Sequence, residues 1–308
     1  AIKMLASAEE IRSTMGSAFE LGIRGKKNLL EFTETAFKMG RVLGLADSEA
    51  ANLLRNFQMM RFSTDEVDKT TIAMRLLQER TGVTARELAL VVDQIRVLST
   101  TFARSERAGF TTAMLKAAAQ FKMMKIDVGE GVAQITKFFD ISDRGARRLA
   151  GIFSMQLGMG VNEFIKGLKD GTVSVDQMAE GAENLVARFG QNRAALDKAT
   201  GGAADFVYKL AQGAEEARNT KKALEEVDKA MGLNRKSIND AYADQLKATQ
   251  SMSTSWGRLK NVLGGILALI GGPLFNRLDK LFQATESGAI MLFNVMKSIK
   301  DWFQSWPE

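Results

Sequence analysis

The chain has 308 residues and a net charge of +6, with 45% hydrophobic and 25% charged residues, no cysteine, no histidine, 16 methionines, 27 glycines and 2 prolines. The length suits about two domains and a sizeable core. Without Cys there is no disulfide framework and no thiolate nucleophile, and without His there is no Ser-His-Asp arrangement and no Cys/His zinc site. Carboxylate chemistry, lysine chemistry and bound Mg²⁺ or Ca²⁺ survive that exclusion.

Strand signals are almost absent, and Ala, Leu, Lys, Glu, Gln, Arg and Met, the good helix formers, dominate. Helix starts are marked by capping boxes, in which a cap side chain takes an orphan backbone N–H and an acid or amide three residues on reaches back. In chain order they fall at Ser7/Glu10, Ser63/Glu66, Thr84/Glu87, Asp127/Glu130 and Ser174/Gln177. Hydrophobic staples accompany them, pairing Phe62 with Val67, Val83 with Leu88 and Val173 with Met178. Ile141 and Ala146 form a weaker staple around Ser142. Before the first internal box, Gly22-Ile23-Arg24-Gly25-Lys26-Lys27 reads as a turn between helices. It lacks the spacing and the Ser or Thr of a phosphate-binding loop.

Five phrases share one theme of a small or polar turn, an apolar residue, a cap and then an amphipathic helix. They begin at Gly44, Gly82, Lys125, Asp140 and Gly171. Their spacing is irregular, so the chain reads as a bundle of short helices rather than a strict solenoid. The methionines at 59–60, 123–124, 155 and 159 lie among Phe, Leu and Ile, and read as core filling.

The character changes near Gly190, and Gly201-Gly202 predicts a break. From Phe206 a heptad stripe continues through Leu210, Gly213, Ala217, Thr220, Leu224, Val227 and Met231, weakened at Gly213 and Thr220. Charged residues such as Glu215, Glu216, Lys221, Lys222, Glu225 and Glu226 surround it, so it predicts an exposed arm or weak coiled coil. A solvated helix gives those paired carboxylates no reason for a raised pKa, which argues against acid–base catalysis.

From Asn261 to Asn276 no residue is charged. Sixteen helical residues span about 24 Å, short of a bilayer core. Gly264, Gly265, Gly271 and Gly272 lack a preceding strand and are no dinucleotide fingerprint. Pro273 opens a further helix with two adjacent apolar seams, too wide a face for a simple dimeric coiled coil. The residues expected to meet an oligomer partner or a membrane are Trp256, Leu259, Val262, Leu263, Ile266, Leu267, Ile270, Leu274, Phe275, Leu278, Leu281, Phe282, Leu292, Met296, Ile299 and Phe303.

The expected fold is therefore all-α: a multi-helix bundle over 1–200, a charged helical arm over 201–252 and an apolar helical hairpin over 253–308. No cofactor, no metal and no enzymatic activity are expected.

The phrase Trp256-Gly-Arg-Leu-Lys-Asn-Val-Leu-Gly-Gly, then Gly-Pro273-Leu-Phe and a long amphipathic helix ending in aromatics, resembles the tail tape measure proteins of tailed bacteriophages. Upstream, Leu29-Leu-Glu-Phe-Thr-Glu-Thr-Ala-Phe-Lys-Met-Gly40 and Leu43-Gly-Leu45 resemble the same family. Members are usually much longer, so the chain, which begins at Ala1, is expected to be a fragment or the ordered portion of a longer protein. No appended peptidoglycan hydrolase is visible in it. The resemblance implies a virion protein of the tail lumen, assembled in the host cytoplasm, that templates tail length and leaves at DNA ejection. It implies a homo-oligomer, with tail tube and baseplate or tail-tip hub proteins as partners and the host membrane as a further contact. No specific nucleic acid is implied.

Two other readings compete with it. The apolar hairpin motivates a pore-forming or membrane-remodelling protein unrelated to phage tails. The net positive charge motivates a nucleic-acid-contacting scaffold, but the charge is spread thin, and its densest cluster, Arg144, Arg147 and Arg148, is short.

Overall fold

Good helix formers, two prolines and repeated caps dictate helix after helix, and the computed structural model has that form. It describes residues 14–16, 18–20, 22–140, 142–190 and 192–233, among which there is no strand. After helical residues at 14–16 and 18–20 come α1 (Lys26–Leu43), α2 (Asp47–Met59), α3 (Thr64–Thr81), α4 (Ala85–Thr100), α5 (Arg104–Met123) and α6 (Val128–Lys137). There follow α7 (Arg144–Gln156), α8 (Val161–Asp170), α9 (Val175–Phe189), α10 (Arg193–Thr200), α11 (Ala204–Gln212) and α12 (Ala214–Leu233).

One joint recurs between these helices. A residue in the left-handed region ends a helix, an apolar residue follows, and then comes the cap of the next helix. Gly44, Gly82 and Gly158 take positive φ at such ends, as does Gly171, where Thr172 stands between the glycine and the apolar Val173. In the joints after α1 and α7 the apolar residue's N–H reaches back five residues, from Leu45 to the Gly40 carbonyl and from Met159 to the Ser154 carbonyl, both at 2.9 Å. Phe62 and Ile126 do the same to Phe57 and Phe121, at 3.0 and 2.9 Å. This bond satisfies carbonyls that a helix end otherwise leaves orphaned. Two joints place a residue with a Cβ in the left-handed region: Arg61 at φ 60° and Lys125 at φ 59°. The apolar member is buried at Leu45, Val83, Ile126 and Val173, so each joint contributes to the core.

The caps form with few exceptions. Ser63 Oγ accepts from the Glu66 N–H at 3.3 Å, and Glu66 accepts from the Ser63 N–H at 2.6 Å. Thr84 and Glu87 exchange the same pair at 3.2 and 2.8 Å. Gln177 accepts from the Ser174 N–H at 3.0 Å. Asp127 caps the Glu130 N–H at 2.8 Å, but Glu130 turns instead to Lys209, at 2.7 and 2.8 Å. At the start of α7 the cap is Asp143, which accepts from the Ala146 N–H at 2.9 Å. The expected cap Ser142 is held elsewhere, donating both its N–H and its hydroxyl to Asp140 at 2.9 and 2.6 Å. Ser7/Glu10 lies outside the described residues.

Alternate helices stack in two layers. α1 packs on α3 and α3 on α5, while α2 packs on α4 and α4 on α6. α2 and α4 run in the same direction, since Glu49 meets Arg86 and Asn56 meets Asp93. α12 packs on α3, α5 and α9. α3 therefore buries two faces, Val67, Thr70, Met74 and Leu77 on one and Ile72 and Ala73 beside it. α5 is the hub, touching α3, α4, α6, α8, α9 and α12. Its Arg107 binds three carbonyls, those of Phe102 (3.2 Å), Met60 (3.1 Å) and Thr100 (3.1 Å), and so closes the ends of α2 and α4 together. Its buried Gln120 accepts from the Val175 N–H at 3.2 Å and donates to Asp176 at 3.0 Å, fixing the start of α9.

The heptad stripe is present but does not form an exposed arm. Phe206, Leu210, Gly213, Ala217, Thr220, Leu224 and Val227 are all buried, and α11 and α12 pack on α9. Gly213 permits this because Met124 occupies the space a Cβ would need, 2.7 Å away. By its internal contacts the chain divides after Gln245, and every described residue belongs to the first unit. The expected hairpin at 253–308 lies outside the described residues, and the side chain of Met231, the last of the stripe, is not described.

Met60 and Met124 are buried as core filling requires, whereas Met59 and Met155 are 45% and 73% exposed.

Candidate functional site

All the residues expected to make oligomer or membrane contact, from Trp256 to Phe303, lie outside the described residues. Within the described bundle several charged side chains join helices. Lys122 meets Glu87 at 2.7 Å, Lys169 meets Glu106 at 2.8 Å and Arg86 meets Glu49 at 2.7 Å. Arg218–Glu183 and Arg193–Asp205 are further cross-helix pairs. Lys169 also lies over the Phe102 ring, 5.0 Å from its centre.

These pairs set the acid–base character. Burial pushes the Glu87 carboxyl up, but hydrogen bonds from Lys122 and Thr84, with the Lys122 charge, outweigh it and leave the pKa below the ordinary carboxylate value. Glu106 is held low chiefly by its bond from Lys169, and Asp140 by its bonds from Ser142. All three carboxyls are thus stabilised in the charged form. Glu215 and Glu225 are exposed on α12. Among the described residues no group of three or more acids converges to hold a metal ion, and no helix is long and apolar enough to cross a membrane.

One hollow of the described surface, about 530 Å³, is a trough between α2 and α4 whose walls include Leu53, Met59, Leu90, Arg55, Arg86 and Arg96. Asp93 in its wall accepts from Asn56 at 3.3 Å and lies 3.6 Å from Arg96, which in turn approaches the Met59 sulfur at 3.7 Å. A hollow of about 420 Å³ adjoins the Gly22–Arg24 turn, which precedes α1 as the sequence predicts. A smaller gap of about 150 Å³ separates α12 from α5 and the α8–α9 joint.

The trough escaped the sequence reading. Leu90 and Val97 fall off the buried stripe of Leu88, Val91, Val92 and Ile95, and that mismatch was the available signal. The bundle thus offers packing surfaces and a partly apolar trough.

No family model, no curated protein and no solved structure matches the chain.

Proposed function

We propose that this chain is part of a tail tape measure protein, a structural component of a phage tail that sets tail length inside the tube and leaves when DNA is ejected. The observation that carries this reading is the resemblance of the phrase from Trp256 through Phe275, joined to the upstream phrase from Leu29 to Leu45. The succession of short capped helices supports it, because it suits a protein whose work is packing and extent. The apolar C-terminal helices then serve oligomer packing or contact with the host membrane, with Trp256, Leu263, Ile270, Phe275 and Phe303 among their contacts. Tail tube and hub proteins are the further partners. The direct test is mass spectrometry of purified tails from the phage or prophage that carries the gene. The reading requires the chain to be in tails at a fixed ratio to tube protein, and its absence would sink the reading.

The uncharged run from Asn261 to Asn276 favours one other reading, a pore-forming or membrane-remodelling protein unrelated to tails. Leakage of a dye from vesicles in the presence of the chain, combined with its absence from tails, would select that reading.

A further inference from the structure

We draw no further inference here: the strongest candidate, the partly apolar trough between α2 and α4, carries nothing, because nothing in the structure shows what covers it.

Discussion

Phe138 and Phe139 are neighbours in the chain but pack into different aromatic clusters. Phe138 meets Phe164 at 5.7 Å and Phe153 at 6.4 Å between ring centres. Phe139 meets Phe110 at 5.4 Å and Phe102 at 5.7 Å. The end of α6 therefore ties the α4–α5 joint to the α7–α8 pair through two successive side chains. Phe138→Ala, at a fully buried site, should destabilise the fold by about 3–5 kcal/mol. Phe139→Ala, at a half-buried site, should cost less. Urea unfolding monitored by circular dichroism measures both.

Two glycines of similar helical position should respond in opposite directions. A Cβ on Gly131 would lie 2.4 Å from the Phe121 ring, whereas a Cβ on Gly109 meets nothing within 4 Å. Gly131→Ala should cost about 1–3 kcal/mol through overpacking. Gly109→Ala, exposed within α5, should gain about 0.5–1 kcal/mol by reducing the freedom of the unfolded chain. The midpoint of thermal unfolding should move down in the first case and up in the second.

Arg61 and Lys125 occupy left-handed positions that glycine holds in the equivalent joints after α1, α3, α7 and α8. Both side chains are exposed. Arg61→Gly and Lys125→Gly should each stabilise the protein by about 1 kcal/mol, as relief of the Cβ clash exceeds the entropy that glycine adds to the unfolded chain. Unchanged or lower stability in chemical denaturation would contradict this.

Glu87, Glu106 and Asp140 have pKa values lowered in the folded state. For a carboxyl of this kind the folded state binds the proton less readily than the unfolded chain does. Its contribution is complete above the unfolded value, about 4.5 for Glu, and is lost as pH falls through the lower folded value. Stability should therefore decline as pH falls from about 5. Glu87→Gln should make that decline shallower while lowering stability at pH 7. A chain whose stability rises on acidification through this window would show that these pairs do not act as described.

Much of the helical order was legible because it is local. Ser63, Thr84, Asp127 and Ser174 each mark a helix start by chemistry confined to four residues, and Gly44, Gly82 and Gly171 mark the preceding ends. What remained hidden depends on distant partners. The stripe from Phe206 to Val227 has the period of a coiled coil, but the period does not say whether its partner is another copy or the same chain. Here α12 lies against α3 and α5. Asp143 displaced Ser142 as a cap because Asp140 captured the serine, a competition among three adjacent polar residues. Arg61 and Lys125 gave no glycine signal for their turns. The trough at Leu90 could be seen only once α2 lay parallel to α4. The site residues from Trp256 to Phe303 were read from periodicity and resemblance, and the described residues do not include them.

On the proposed function the chain contributes length to a tail. The most direct measurement is electron microscopy of tails from phage carrying in-frame deletions in the gene that encodes it. A ruler that is helical when extended should shorten the tail by about 15 Å for every ten residues removed. Tails of unchanged length, in particles that still assemble and still contain the shortened chain, would contradict the account.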